Sequence, residues 1–182
     1  MVQNAWKLSL GWDEEFTRSL REKFVQWFRE LEALKEGRVP RWINITADAT
    51  KKFFIQNFCD ASKDAYAAVS YLVQEADDKN VQFLASRSRI APFKGATISR
   101  LELLTAFVGA RLAKSIVDAL CWATAKCFHW SDSTTFLMRI TKEENWSAFV
   151  NNRVPEIRKI SQPSSWRYVS GVVNPAVLPS RG

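Results

Sequence analysis

Residues 51–75, KKFFIQNFCDASKDAYAAVSYLVQE, decide how the rest of the chain is read. Over the first ten, Phe54, Gln56, Phe58 and Asp60 fall on one side of an extended chain. Phe53, Ile55, Asn57 and Cys59 fall on the other, which is the period of two that marks a strand. DASKD then supplies turn formers, and AYAAVSYLVQE carries the β-branched and aromatic residues of a second strand. After the charged break ADDKN a third run, VQFLASRSRI, repeats the pattern, so short connections predict an antiparallel meander.

Downstream the period changes. ISRLELLTAFVGARLAKSIVDALCWA places Leu101, Leu104, Val108, Leu112, Ile116 and Ala119 at three- and four-residue intervals, the stripe of a long amphipathic helix. A second line on that helix is small: Ala106, Gly109 and Ala113 lie in register with Glu102, so this line can approach a sheet closely and hold Glu102 near the strands. AKCFHW reads as a fourth strand ending at Ser131-Asp132-Ser133, a good helix start, and STTFLMRI as a short helix. NWSAFVNNRVPEIRKI reads as another helix that Pro155 must bend or restart, and SWRYVSG as a last strand. This order predicts an α/β domain with a mixed central sheet flanked by helices. Upstream, Phe16, Leu20, Phe24, Trp27, Phe28, Leu31 and Leu34 form the apolar stripe of an N-terminal amphipathic helix that stops near Gly37 and Pro40.

The 182 residues are 47% hydrophobic and 25% charged, enough to bury one core. A formal net charge of +7 favours an anionic partner, nucleic acid or an anionic membrane surface. No apolar run approaches the ~20 residues that span a bilayer. The opening MVQNAWKLSL lacks a signal-peptide core, so an intracellular protein, cytoplasmic or nuclear and not secreted, is expected. Cys59, Cys121 and Cys127 sit in apolar neighbourhoods and are expected as buried thiols; with His129 alone beside them they make no zinc motif. His129, inside an apolar strand, is read as structural.

Three acidic residues lie where elements begin or end: Asp60, Glu102 and Asp132. Each has an ordinary explanation. Glu102 follows Ser99 at capping-box spacing, Asp132 can cap its helix, and Asp60 can close a turn with Ser62. Together they are more informative, because strand ends of an α/β sheet converge on one edge and clustered carboxylates repel unless a cation joins them. Carboxylates with water suit Mg2+ or Mn2+, and two such ions serve phosphodiester hydrolysis.

FCDASKDAYAAVSYL, SRSRIAPFKGATISRLELLTAFVGARLAKSI, WSDSTTFLMRI, FVNNRVPEIRKI, WRYVSG and NPAVLPSRG, in that order, resemble the successive blocks of the ribonuclease H domain of BEL/Pao retrotransposon polyproteins. The likeness runs from about Arg41 to the end. GWDEEF to RVPRWI resembles the segment that connects reverse transcriptase to that domain. The resemblance implies residues 1–40 as a connection segment and 41–182 as a ribonuclease H-like domain, truncated within its final helix. It also implies a two-metal endonuclease that cuts the RNA strand of RNA–DNA hybrids, with reverse transcriptase of the same polyprotein as a neighbour and no membrane partner. Asp60, Glu102 and Asp132 match the first three of its four catalytic, metal-binding carboxylates. The fourth position departs: Asn174-Pro175-Ala176 is followed by Val177, and an isopropyl group cannot ligate a metal, so residual one-ion binding and impaired hydrolysis are expected. Ala67 stands where the family more often has glycine. Arg87, Arg89, Lys94 and Arg100, between the third strand and the long helix, are the expected nucleic-acid contacts. The rival reading is a non-catalytic nucleic-acid-binding or scaffold remnant of the polyprotein.

Overall fold

The computed structural model describes residues 5, 8–38, 43, 52–75, 80–92, 96–122 and 125–181. The chain divides into two compact units, Met1–Asn44 and Ile45–Gly182. In the first, helix α1 (Arg18–Glu30) continues into a 3-10 turn, Leu31–Lys35. Its aromatic side chains pack on one another along the stripe: Phe24 meets Phe16 at 5.7 Å and Phe28 at 4.9 Å between ring centroids.

The second unit holds a five-stranded sheet in the order β3-β2-β1-β4-β5. Strands β1 (Lys52–Ala61), β2 (Ala65–Glu75) and β3 (Asn80–Ile90) form the expected antiparallel meander, with a register shift at Ser70/Tyr71. Strands β4 (Lys126–Ser131) and β5 (Trp166–Tyr168) extend it in parallel from β1. The mixed sheet with flanking helices is thus the architecture the element order implied.

Alternation in β1 sorts the two faces. Ile55, Asn57 and Cys59 are wholly buried, and Cys59 belongs to the core that helix α2 (Ile98–Ala119) covers. Ala106, Ala113 and Gly109 on α2 are buried, and the small line does what its residue sizes permit. A Cβ on Gly109 would stand 2.3 Å from Cys59 Sγ and 2.8 Å from Asn57 Nδ2, so only glycine lets helix and strand approach this closely. Thr105 Oγ1 donates to the Ala67 carbonyl at 2.7 Å and pins the same helix to β2; Ala67 itself is fully buried. Helices α3 (Thr134–Thr141) and α4 (Ala148–Ile160) add Phe136, Ile140, Val150, Val154 and Ile157 to the core. Helix α4 runs through Pro155 without a new start, and the carbonyl that Pro155 leaves without a partner belongs to the exposed Asn151, where water can serve it. A short helix, α5 (Val177–Arg181), closes the described chain.

One thiol departs from expectation. Cys59 is buried and Cys127 half-buried, but Cys121 is exposed, at φ 54° in the turn that ends α2. Helix termination needs a residue in the left-handed region there, and this backbone demand outweighs the apolar surroundings in sequence.

Candidate active site

Parallel pairing of β1 with β4 sets Cys59 opposite Ser131, so the next residues, Asp60 and Asp132, leave adjacent strands side by side. Neighbouring strands lie about 4.8 Å apart, so the two carboxylates are immediate neighbours. Their charges are felt. Burial first, then the negative charge of Asp60, push the Asp132 carboxyl up to about 6, and Glu102 adds to the same shift.

The structure removes the ordinary explanations for all three acids. Thr97, not Ser99, caps α2, accepting from Arg100 N at 3.4 Å, so Glu102 has no capping box to complete. Ser133 caps α3, accepting from Phe136 N at 3.0 Å, which leaves Asp132 without that task. The turn after β1 is closed by Ser62, whose Oγ accepts from Asp64 N and Ala65 N at 3.1 Å. Asp60 is not a turn residue; it lies within β1 and is 1% exposed.

Asp60 is held from α5. Ser180 Oγ donates to Asp60 Oδ2, and Arg181 Nη2 stands 3.5 Å from Asp60 Oδ1, which accepts no hydrogen bond. Helix α5 is in turn tied to the sheet: Ser62 Oγ donates to the Ser180 carbonyl at 2.6 Å, and Asn174 Nδ2 to the Cys59 carbonyl at 3.0 Å. Val177, the first residue of α5, brings no donor atom for a cation. Gly171 backs onto Asp132: a Cβ there would lie 3.0 Å from Asp132 Oδ2. Ser180, Arg181 and Gly171 carry no signal in sequence, since each reaches its carboxylate only through the fold.

Glu102 joins less closely. It comes from α2, which covers the face of β1 that carries Cys59, whereas alternation gives Asp60 to the other face. Among the described residues, no group of three or more His, Cys, Asp or Glu side chains is arranged to hold a metal ion. Asp60 and Asp132 therefore offer a pair of carboxylates, and Glu102 a nearby charge.

The expected nucleic-acid contacts divide. Asp60 pairs across β2 with Ala67, and Ala67 with Ser88, so exposed Arg87 and Arg89 flank the row that carries Asp60, two strands away. Arg100 lies in the first turn of α2 with its guanidinium 5.2 Å from the Phe149 ring centroid. Lys94 lies outside the described residues. His129 is structural in its surroundings: Asn57 Nδ2 meets its Nδ1 at 3.0 Å, Trp166 stacks on it at 4.6 Å, and burial pulls its pKa down to about 4.

The mixed five-stranded sheet with flanking helices is a ribonuclease H-like architecture. Over residues 1–133 the sequence matches the family described as Pao retrotransposon-like RNaseH-like domain, and the chain belongs to that family. The match stops short of α5, so Val177 lies beyond it. No curated protein matches the sequence. Among solved structures the chain is similar to RNase H1 of the halophilic archaeon Halobacterium salinarum, with 11% identity, TM-score 0.44 and coverage of 69% of this chain and 90% of that one. LC11-RNase H1 in complex with an RNA/DNA hybrid gives 12% identity, TM-score 0.46, 70% of this chain and 93% of that one. The foamy viral protease-reverse transcriptase in complex with dsDNA gives 9% identity and TM-score 0.42; the match covers 96% of this chain but 34% of that one. No described helix is long and apolar enough to cross a membrane.

Proposed function

We propose that this retrotransposon ribonuclease H-like domain binds RNA–DNA hybrids and hydrolyses their RNA strand orders of magnitude more slowly than a domain with four carboxylates. The observation that carries the reading is the pair Asp60 and Asp132, side by side on adjacent strand ends with Asp132 pushed up to about 6, beside a fourth position occupied by Val177. A buried Oδ1 without a hydrogen bond on Asp60 suits one Mg2+ or Mn2+ ion. The residues do not fit a second: Glu102 does not complete a ligand group with them, and Val177 has nothing to offer. No two-ion hydrolysis is therefore assigned to the chain as it stands. Asp60 and Asp132 are the residues that would hold the ion. Glu102 adds negative potential, and Arg87 and Arg89, with Lys94 and Arg100, would engage phosphates. Reverse transcriptase of the same polyprotein is the proposed neighbour of the N-terminal unit. The scaffold reading draws on the absence of a three-acid metal group among the described residues.

The test is Mn2+-dependent cleavage of an RNA–DNA hybrid by this chain and by Val177→Asp, with hybrid affinity measured alongside. Restoring a ligand for the second ion should raise cleavage by about 100-fold, since such an ion contributes several kcal/mol to transition-state stabilisation. Equal, brisk turnover by both would refute the defect. Failure of both to bind the hybrid would leave the scaffold reading.

A further inference from the structure

We infer that Arg181 is a resident cation for Asp60: its guanidinium occupies the charge-neutralising place beside the buried carboxylate, and so determines how readily a divalent ion enters. The inference rests on the reading of Asp60 as a member of the candidate site, and concerns what controls that site's occupancy.

A carboxylate that is 1% exposed must be neutralised, bonded or protonated. Here α5 brings both a hydroxyl and a positive charge. Ser180 Oγ donates to Oδ2, and Arg181 Nη2 lies 3.5 Å from Oδ1. The placement is built, because α5 and the segment leading into it are fastened beside the end of β1: the Ser180 carbonyl accepts from Ser62, and Asn174 Nδ2 reaches the Cys59 carbonyl. The contact is also displaceable. The Arg181 side chain is 56% exposed, and Oδ1 accepts no aligned hydrogen bond from it, so the guanidinium can leave for solvent with its charge hydrated. A dication that draws on Asp60 and Asp132 together has to displace this tethered monocation first. Removing the arginine leaves the same oxygens with one cation fewer and raises their affinity for a divalent ion.

Isothermal titration of the full chain with Mn2+ and, separately, Mg2+ tests this on the parent, Arg181→Ala, Arg181→Lys, Asp60→Asn and the Asp60→Asn/Arg181→Ala double variant. The expected result is one Mn2+ bound about tenfold more tightly by Arg181→Ala than by the parent, with Arg181→Lys near the parent and the gain lost in the double variant. The metal-free melting temperature checks that each variant folds, and Mn2+ should raise it more in Arg181→Ala than in the parent. Equal affinities in parent and Arg181→Ala, both lost with Asp60→Asn, would overturn the role of Arg181 and leave the site standing. No metal binding by any variant would overturn the site as well.

Discussion

Along β1 and β4 lie two polar layers three residues apart, and the layers have opposite character. The first runs across four strands in register, Ser70, Asn57, His129 and Trp166. Ser70 Oγ donates to Asn57 Oδ1 at 2.8 Å, Asn57 Nδ2 meets His129 Nδ1 at 3.0 Å, and Trp166 Nε1 donates to Ser161 Oγ at 2.9 Å. It is neutral, and none of its buried side-chain atoms lacks a partner. The second layer, Asp60 and Asp132, is charged, mutually repulsive and incompletely bonded. A satisfied neutral row fixes which residues face each other across the sheet, and that register is what sets the two acids side by side. The unsatisfied row holds repulsion that a cation can relieve, which distinguishes a candidate site from a structural polar core.

Breaking the first layer should have the largest effect. Asn57→Ala leaves the Ser70 hydroxyl and His129 Nδ1 without their partner and opens a cavity beneath Gly109. It should cost about 3 kcal/mol, read by urea unfolding. A loss under about 1 kcal/mol would mean that the row is not what holds the register.

The next effect is the acid limb of stability. Burial lowers the His129 pKa from 6.5 to about 4, so the folded state resists protonation that the unfolded chain accepts. The stabilisation is complete above pH 6.5 and is lost as pH falls toward 4, by up to about 3 kcal/mol. The drop should be visible in melting temperature across that window, and His129→Gln should flatten it.

The smallest effect has the opposite sign and belongs to the second layer. Asp132 is raised from 3.8 to about 6, so the folded state binds its proton more tightly than the unfolded chain. Its contribution is full below pH 3.8 and disappears as pH rises through 6. In metal-free buffer at pH 8, Asp132→Asn should therefore stabilise the fold, by about 1 kcal/mol after allowance for solvent at this half-buried position. Destabilisation instead would place Asp132 with the structural layer.

Much of this was legible beforehand where periodicity carries it. The alternation of residues 53–60 marked β1, and the small line through Ala106, Gly109 and Ala113 marked the close face of α2. Local chemistry was less reliable. Ser99, a plausible cap by spacing, lost that place to Thr97, and Cys121 was set on the surface by the turn that ends its helix. Ser180 and Arg181 were missed because an ion pair spanning 121 positions, from residue 60 to residue 181, leaves no mark on either neighbourhood.

The sequence by itself determined the order of strands and helices, the identity of the acids at their ends, and the valine at position 177, because side-chain periodicity and residue chemistry are properties of the chain. Only the tertiary structure decided that Asp60 is buried, that Asp132 feels its charge and that of Glu102, and that Arg181 stands beside Asp60. Those depend on which strand ends lie side by side and which face each residue takes, and both are set by packing between segments far apart in the chain.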